Sequence, residues 1–560
     1  MLSSLLRSVR PRARDQVQPL AGSGPAITLF LSLSDTQTRA HVLHATGAEF
    51  DTVWSELARQ AQKLSAREKL EVRWLRLDWV TGVKSSSMRE FKTSLRLVKR
   101  NYFRYGLALD PAFHIAFVEG ELNANAMLYG GSAVEHAVLN EKNFRLYAQA
   151  RFKEPELDFA DAAPLWLLET RGLFCAEDGA PQPLYGSGPD AGRRVIERLD
   201  VDIVTTLIED ASRYLATQVK SDGKFQYGWH PCFDRPINAY NTLRHASTLY
   251  AMLEAWEVTR EPALEAAIRR GLDYLMRKLI KTLALADGTQ AAFLVDVGNE
   301  IKLGGNAVCL LALSKHAELF PDEAQLDLLE QLALGIAHMQ NNDTGAFVHV
   351  INYPDLSVKD AFRVIYYDGE AAFGLMRLYG LTGDARWLAL VENAFRYFIA
   401  KQHWNTHDHW LGYCVNELTR YRPEARYYEF GLRNVADHLH FVEHRITTFP
   451  TLLELMMATE LLLQRLRVDP THNHLLGLLD EPAFQRALER RARHMLNGHF
   501  WPELALYYRK PARIAGSFFI RHHAFRVRID DVEHYLSGFV AYRRYLLQAA
   551  SAQAQPPAIS

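Results

Sequence analysis

The stretch Leu249-Tyr-Ala-Met-Leu-Glu-Ala-Trp-Glu-Val-Thr259 has a second copy 123 residues later, Ala372-Phe-Gly-Leu-Met-Arg-Leu-Tyr-Gly-Leu-Thr382. In each copy an apolar helix ends at a short turn of the form Thr-x-Glu or Thr-x-Asp. A second helix follows, and it carries a tyrosine at the matching position, Tyr274 or Tyr397. The pattern predicts an αα-hairpin that is repeated along the chain.

Further apolar helices of this type are predicted on either side of the second copy. They begin at Gly305-Asn-Ala-Val-Cys-Leu-Leu-Ala-Leu and at Phe449-Pro-Thr-Leu-Leu-Glu-Leu-Met-Met-Ala. From about residue 200 to 548 the hydrophobic period is helical and strand signals are few, so about six hairpins fit. We therefore predict an (α/α)6 toroid over residues 200–550, with nearly apolar inner helices in a closed ring and amphipathic helices outside.

The hairpins also resemble a known group of proteins. The phrases Tyr250-Ala-Met-Leu-Glu-Ala-Trp-Glu-Val-Thr and Leu375-Met-Arg-Leu-Tyr-Gly-Leu-Thr-Gly-Asp are similar to those of six-hairpin carbohydrate-active enzymes. These include α/α-toroid glycosidases, N-acylglucosamine 2-epimerases, uronate lyases and glucuronyl C5-epimerases. The resemblance covers roughly residues 200–550 and implies a toroid that acts on carbohydrate, without assigning individual catalytic residues.

The chain before residue 190 has mixed periods and predicts a separate α+β module. Strand patterns lie at 26–33, 71–80, 114–118 and 164–171, and helical patterns at 50–64, 88–103 and 141–150. We predict a flexible N-terminus over 1–24, the α+β module over 25–190, and a linker rich in glycine and proline at Asp178–Gly192.

Composition excludes several classes of function. With 64 Lys plus Arg against 65 Asp plus Glu in 560 residues, the net charge of -1 provides no overall field for nucleic acid or an anionic membrane. The four cysteines are far apart, with no Cys-x-x-Cys pair for a thiolate metal site. No apolar run reaches the length of a membrane-spanning helix. We expect a cytoplasmic protein with no nucleic-acid partner and no membrane span.

In a toroid, polar clusters just before apolar helices line the cavity. Residues 227–245 form the first such cluster, which precedes the helix that carries Tyr250. We predict that His245 is catalytic here, with Asn241 as a helix cap and Trp229 as a core residue left as alternatives. The predicted substrate-binding residues of this cluster are Trp229, His230, Arg235, Tyr240, Asn241 and Arg244.

The second cluster, Tyr366-Tyr-Asp-Gly-Glu, begins the repeated hairpin. Alignment of the two copies places Asp368 opposite His245, so we predict that both point into one ring, with Asp368 as acid or base and Tyr367 binding substrate. Glu370 is interpreted as a helix-dipole residue. Glu300, at a third equivalent position, is the predicted second carboxylate.

Two further clusters are rich in histidine and arginine. In residues 518–535 we predict roles for His523, Arg528 and Asp531, with a structural salt-bridge network as the alternative. Trp404 is predicted to stack on sugar in an aromatic rim. No cofactor is predicted; a divalent ion held by His440 and His444, four residues apart, is a minor alternative.

Three functions remain open. The first is a glycoside hydrolase that acts on an oligosaccharide or polysaccharide, acidic ones included, with Asp368 and either Glu300 or Asp531 as acid and base. The second is a sugar or uronate epimerase or lyase that uses His245, His523 or Tyr240 as base. The third is a non-catalytic toroidal scaffold whose N-terminal module docks to a protein partner, for example in a biosynthetic complex.

Overall fold

The structure is a computed structural model that describes residues 1–22, 24–153, 155–177 and 179–554. The chain forms two compact units. Unit 1 comprises Met1–Arg198, Trp229–Pro236 and Asn497–Val527, and unit 2 comprises Leu199–Gly228, Ile237–Leu496 and the chain from Arg528 onward. Two segments inside the predicted 200–550 domain therefore belong to unit 1. Asp178, the first residue of the predicted linker, lies outside the described residues.

The elements alternate between strands and helices in the first third of the chain and are mostly helical after it. The helices are α1 Leu2–Gln16, α2 Phe50–Glu68, α3 Met88–Leu95, α4 Glu119–Ala124, α5 Glu141–Arg151, α6 Val201–Gln218, α7 Thr242–Thr259, α8 Pro262–Tyr274, α9 Leu303–Leu319, α10 Leu326–His338, α11 Tyr367–Thr382, α12 Ala385–Ala400, α13 His409–Tyr421, α14 Ala425–Ala436, α15 Leu439–His444, α16 Thr451–Val468, α17 Glu481–Met495, α18 Pro502–Ala505, α19 Pro511–Ile514 and α20 Ile529–Ala554. The strands are β1 Ile27–Ser34, β2 His41–Gly47, β3 Trp74–Ser87, β4 Gly106–Ala108, β5 Ala116–Phe117, β6 Pro164–Ala176, β7 Gln182–Leu184, β8 Gly228–His230, β9 Arg235–Pro236, β10 Ile280–Ala284, β11 Gln290–Asp296, β12 Glu300–Lys302, β13 Val350–Asn352, β14 Val358–Asp360 and β15 Val527–Arg528.

Unit 1 is built on an antiparallel sheet in the order β2-β1-β3-β6-β4-β5, with β7 beside β6. All eight residues of β1 are buried, and α2 packs against β1 and β2. The segment predicted to be flexible instead forms α1, whose Leu5, Leu6 and Val9 are buried in the same core. The α+β prediction for this part of the chain is confirmed.

Residues 497–527 join unit 1 through buried polar contacts. The Arg76 guanidinium pairs with Asp78 and donates a hydrogen bond to the Glu503 carbonyl oxygen at 2.7 Å. The Tyr507 hydroxyl donates to Asp78 Oδ2 at 3.2 Å. Because a buried ion pair is stable only when its remaining hydrogen bonds are made, this segment completes the core of unit 1. Hydrophobic periodicity carries no information on such a distant partner.

Unit 2 is a closed ring of helices. The six inner helices α7, α9, α11, α13, α16 and α20 pack each on the next, and α20 packs on α7 to close the ring. The outer helices are α6, α8, α10, α12, α14 and α17. The inner helix α9 is buried continuously from Leu303 to Ala317, as a helix enclosed by neighbours must be. The predicted (α/α)6 toroid is thus confirmed.

Unit 2 also contains an antiparallel sheet in the order β10-β11-β12-β13-β14, which the sequence analysis does not predict. Its strands are short and follow α8 and α10, so their period is hard to detect. The sheet carries Asp296 and Glu300 toward the start of α9. No helix in the described part of the chain has both the length and the hydrophobicity needed to cross a bilayer.

Candidate active site

The N-terminal ends of the inner helices bring a group of charged side chains together inside unit 2. Each sits at a helix start or within its first two turns, and all but Arg244 and His534 are fully buried. The members are Arg244 on α7, Glu370 on α11, Asp408 and His409 at the start of α13, Glu454 on α16, and Asp530, Glu533 and His534 on α20. We call this group the ring site.

Two histidines of the ring site are each held by a carboxylate. His534 Nδ1 lies 2.9 Å from Glu454 Oε2, and His409 Nδ1 lies 3.4 Å from Asp408 Oδ1. The two imidazole rings face each other edge to face, with centroids 5.5 Å apart. An ionised partner accepts the Nδ1 proton and leaves the lone pair on Nε2, whereas a protonated partner, which the raised pKa of Glu454 favours, donates to Nδ1. The arrangement therefore holds two oriented imidazoles side by side.

The Nε2 atoms of both histidines remain available for proton transfer. His409 Nε2 is buried and has no hydrogen-bond partner among the described residues. His534 Nε2 lies 3.8 Å from Glu533 Oε1. Burial lowers the pKa of His534 below its ordinary value, although the Glu533 charge opposes the shift. A neutral imidazole at neutral pH is the form that can accept a proton.

Arg244 supplies the positive charge of the ring site. Its guanidinium lies 3.5 Å from Asp530 Oδ2 and 3.6 Å from Glu533 Oε1. Burial lowers the pKa of Arg244, but the Asp530 and Glu533 charges outweigh it and hold that pKa above its ordinary value. Glu533 in turn accepts hydrogen bonds from Ser247 Oγ at 2.6 Å and Thr248 Oγ1 at 2.9 Å. The cation is thus fixed in place on α7.

Three carboxyl groups of the ring site retain protons to unusually high pH. Burial is the main cause, and it raises the pKa of Glu370 and of Glu454 to about 8 and that of Glu533 to about 7. The neighbouring Asp408 and Glu533 charges add to the effect at Glu370, and Arg244 opposes it. Glu370 Oε2 has no hydrogen-bond partner within the described chain. Glu370 is therefore an acid at neutral pH, whereas the sequence analysis interprets it as a helix-dipole residue.

Gly304 makes room for Glu370. A Cβ at this position would lie 2.0 Å from Glu370 Oε2 and 2.4 Å from the Tyr367 ring. Both distances are far below van der Waals contact, so only glycine leaves space for the carboxyl group. Tyr367, a predicted binding residue, packs against His349 with centroids 5.4 Å apart and is buried.

Asp368, the main predicted acid or base, contacts two other histidines. Its Oδ1 lies 3.4 Å from His349 Nε2 and its Oδ2 lies 3.8 Å from His403 Nδ1. His349 Nδ1 accepts a hydrogen bond from the Arg363 backbone N–H at 3.0 Å. Asp368 therefore faces His349, just before β13, and His403, just after α12, while Glu370, two positions later, belongs to the ring site.

The other two predicted carboxylates are engaged by arginine. Arg363 binds Glu300 through both oxygens, at 2.8 and 3.1 Å, and these hydrogen bonds lower the pKa of Glu300 to about 2. Arg528 binds Asp531 in the same bidentate way, at 3.1 and 2.9 Å. With its pKa lowered in this way, Glu300 is ionised at neutral pH and is not a proton donor.

The structure turns His245 away from the ring interior. Its Nδ1 accepts a hydrogen bond from the Tyr240 hydroxyl at 2.6 Å, and its Nε2 donates to the Gly271 carbonyl of α8 at 2.9 Å. Burial lowers the pKa of His245 to about 4. The expectation that His245 and Asp368 point into one cavity is not met, and Arg244 enters the ring site instead. Asn241 caps α7, accepting from the Arg244 N–H at 3.3 Å.

The remaining predicted residues lie elsewhere. Trp404 packs edge to face on Phe430 of α14, and the Arg433 guanidinium lies 5.2 Å from the Trp404 ring centroid. Four others, predicted to line the toroid, belong to unit 1: Trp229, His230, Arg235 and His523.

The residues that the sequence analysis does not select share one signal. Glu454 is the only charged residue in the apolar run from Thr451 to Ala458, and Glu370 stands at the start of a similar run. A charge inside an otherwise apolar inner helix must be buried, and buried charges are kept for function or pairing. This signal could have identified Glu370 and Glu454 without a structure.

A metal ion has one candidate position. His409, Glu454 and His534 each offer a ligand atom, and these atoms lie within 4.8 Å of one another, the only such trio in the part of the chain that the structure describes. His440 and His444, the pair predicted as a minor metal alternative, stack on each other with centroids 4.3 Å apart.

Comparison with known proteins gives similarity of structure only. No family model matches the chain, and no curated protein matches it in sequence. A solved structure of D-mannose isomerase is similar at 13% identity, covering 63% of this chain and 100% of that one, with a TM-score of 0.47. Cellobiose 2-epimerase from Bacillus thermoamylovorans B4167 has 12% identity, with 62% and 99% covered and a TM-score of 0.46. Unsaturated glucuronyl hydrolase from Streptococcus agalactiae has 12% identity, with 65% and 98% covered and a TM-score of 0.43.

Proposed function

We propose that unit 2 is a sugar epimerase-type enzyme, which moves a proton at the carbon beside a carbonyl group. The observation that carries the proposal is the pair of carboxylate-held imidazoles, His409 and His534, with ring centroids 5.5 Å apart inside a closed ring. Proton abstraction and return need one group that is a base and one that is an acid. Two neighbouring histidines with tuned carboxylates provide both.

In the proposed reaction one histidine Nε2 takes the proton from the carbon next to the carbonyl. The C–H electron pair then forms the carbon–carbon double bond of an enolate, and the negative charge moves to the carbonyl oxygen. Arg244, whose charge Asp530 and Glu533 maintain, is suited to stabilise this oxyanion. The other histidine, which carries a proton at the outset, returns it to carbon, and the two histidines then exchange protons with solvent, so no further reactant is consumed.

The substrate class follows from the resemblance of the hairpins to carbohydrate-active enzymes, and the polar surroundings agree with it. Tyr366 packs edge to face on His409, with centroids 5.6 Å apart, and has a hydroxyl for binding. Tyr227 lies near the same charges: burial and then the Asp530 charge raise the pKa of its hydroxyl to about 12. We propose a sugar with a free or latent carbonyl group, acidic sugars included.

A second candidate is the glycoside hydrolase of the sequence analysis, and Glu370 is the observation that favours it. A carboxyl group with a pKa of about 8 and an unpartnered oxygen is suited to protonate a leaving group. In this version Glu370 replaces Asp368 as the acid, because Asp368 contacts His349 and His403 outside the ring site.

The test separates these functions by the fate of solvent atoms. The full chain is incubated with neutral and uronic mono- and oligosaccharides in deuterated water and, in parallel, in water labelled with heavy oxygen. Deuterium on the carbon beside the carbonyl, without cleavage, is the expected result. Heavy oxygen in shortened products would transfer the assignment to hydrolysis. Turnover of neither kind, with a stable protein complex isolated, would support the scaffold hypothesis instead.

A further inference from the structure

Unit 1 contains a cavity of about 290 Å³ that the proposed function does not use. Four of its lining side chains are basic, and none of the described lining residues is acidic. The others are small, aromatic or apolar, so the cavity combines a basic part with an uncharged surface. The lining residues are Ala126, Tyr129, Ser132, His230, Cys232, Phe233, Arg235, His523, Ala524 and Arg526.

One wall is a short β-hairpin. His230 on β8 stands directly opposite Arg235 on β9, so their Cα atoms are cross-strand neighbours. Asp234, in the turn, has a φ of 53° and pairs with Arg513 and with Lys510 at 3.4 Å. These ion pairs hold the turn, and with it the two basic side chains, in one position.

The second wall is a tight turn from the 497–527 segment. Ala524 and Phe525 have φ values of 55° and 56°, which reverse the chain sharply. The Ile520 N–H donates to the Arg526 carbonyl at 2.9 Å, and the Arg526 N–H donates to the His523 carbonyl at 3.1 Å. The turn therefore places His523 and Arg526 on one side of the cavity.

Cys232 joins the two walls. Its thiol is buried, with Sγ 3.7 Å from the Asn123 carbonyl oxygen and 3.9 Å from that of Ala524. Burial raises the pKa of Cys232 to about 12, so the group is a neutral thiol at neutral pH. The cavity floor thus adds no negative charge to offset the basic side chains.

The field in the cavity is positive. Burial lowers the pKa of His230, and the nearby Arg526 and Arg235 charges lower it further. Cationic neighbours that disfavour another proton mark a place where an anion would be stabilised. The guanidinium fork matches phosphate oxygens in a bidentate geometry.

We propose that this cavity binds a small phosphate monoester of about monosaccharide size. The two guanidinium groups of the basic part provide more positive charge than a single carboxylate needs and match a phosphate that carries close to two negative charges, while the two imidazoles can form hydrogen bonds to its oxygens. The volume lies near the lower end of ligand cavities, so it holds a body beyond the phosphate itself. Ala126, Tyr129 and Phe233 are the surfaces for that body.

Calorimetry on the full chain tests the proposal with glucose 6-phosphate, inorganic phosphate, glucuronate and glucose. Saturable binding of glucose 6-phosphate at one site is expected, at least about tenfold tighter than glucuronate. Arg235→Gln and Arg526→Gln are each expected to weaken it about tenfold or more. Arg59→Gln is the matched control, because Arg59 is exposed on α2 and paired with Glu56 at 2.8 Å.

The His534→Asn variant separates this inference from the proposed function. Glucose 6-phosphate affinity should survive His534→Asn and fall with Arg235→Gln, whether or not unit 2 turns over sugar. Equal affinity for inorganic phosphate and for the ester would overturn the ester assignment. Unchanged affinity in both arginine variants, or the absence of binding by native protein, would overturn the site. Thermal unfolding is recorded for each arginine variant, and an unchanged midpoint shows that weaker binding does not come from misfolding. The same titrations are repeated with the His523→Gln variant.

Discussion

The two ends of the toroid differ in how completely their charged side chains are paired. At the C-terminal ends of the inner helices, each cation meets its carboxylates directly. Lys315 lies 2.8 Å from Glu257 and 3.6 Å from Glu318, and Arg544 lies 2.7 Å from Glu257. Arg377 pairs with Glu318 and lies 3.5 Å from Glu417. Three cations and three carboxylates thus connect α7, α9, α11, α13 and α20.

In and beside the ring site at the N-terminal ends, carboxyl groups outnumber cations. Six carboxyl groups lie there with the guanidiniums of Arg244 and Arg528 and with two imidazoles: Glu370, Asp408, Glu454, Asp530, Asp531 and Glu533. Because burial and like charges disfavour ionisation, four of the six have raised pKa values: Glu370, Asp408, Glu454 and Glu533. The difference teaches that direct ion pairs neutralise the charges at one end of the ring, whereas burial at the other end leaves carboxyl groups protonated at higher pH than usual.

The largest expected effect comes from removing a base at the N-terminal end. His534→Asn removes the imidazole that Glu454 orients, and we expect deuterium exchange into substrate to fall by 10²–10⁴-fold, the usual contribution of general acid–base catalysis. Exchange is measured by mass spectrometry, with thermal unfolding recorded alongside. His472→Asn is the matched control, because His472 also pairs with a carboxylate, Asp469 at 2.8 Å, outside the ring site. Equal loss in both variants would contradict the assignment.

The next effect belongs to the C-terminal end. Arg377→Gln leaves Glu318 and Glu417 without their shared cation, and we expect the free energy of unfolding to fall by about 1–3 kcal/mol, with substrate exchange per folded molecule unchanged. Denaturant unfolding followed by circular dichroism measures it. Arg386→Gln is the control: that arginine is 54% exposed and pairs with Glu330 and Asp384, so its loss should cost under about 0.5 kcal/mol. A fall in substrate exchange per folded molecule of the Arg377→Gln variant would contradict this difference between the two ends.

The sequence predicts the ring of helices but not the side-chain pairings at its two ends, and the reasons are physical. The ring follows from hydrophobic period, because an inner helix must be apolar along its whole length. Glu300 and Asp531 are plausible catalytic carboxylates in the sequence. Their arginine partners lie 63 residues from Glu300 and three residues from Asp531, and hydrophobic periodicity does not reveal which ion pairs form. His245 and Arg244 are adjacent, so only the helix rotation decides which one enters the ring site. The assignment of residues 497–527 to unit 1 likewise depends on tertiary contacts of Arg76 and Asp78.

A smaller effect is expected from pH. Glu370 and Glu454 have pKa values raised to about 8, so between about pH 4.5 and 8 the folded chain binds more protons than the unfolded chain. Stability supplied by these groups is therefore present at low pH and lost as the pH rises through 8. Glu370→Gln should raise the free energy of unfolding at pH 8.5 by about 1–3 kcal/mol and leave it nearly unchanged at pH 5. Urea unfolding at both values checks this. Glu330→Gln, at an exposed site, should show no such difference, and a parallel shift of both variants would contradict the prediction.

The smallest expected effect is that of metal removal, and it decides how the unbalanced end is used. His409, Glu454 and His534 could surround a divalent ion, yet His534 Nδ1 and Glu454 Oε2 already share a hydrogen bond at 2.9 Å, so an ion would have to displace that proton. In the proposed mechanism the proton between them is what orients His534. Dialysis against a chelator should therefore change substrate exchange by less than about twofold. If chelation abolishes substrate exchange and one divalent ion restores it, His409 and His534 would instead be metal ligands. The excess of carboxylates at this end would then serve a cation and not a mobile proton.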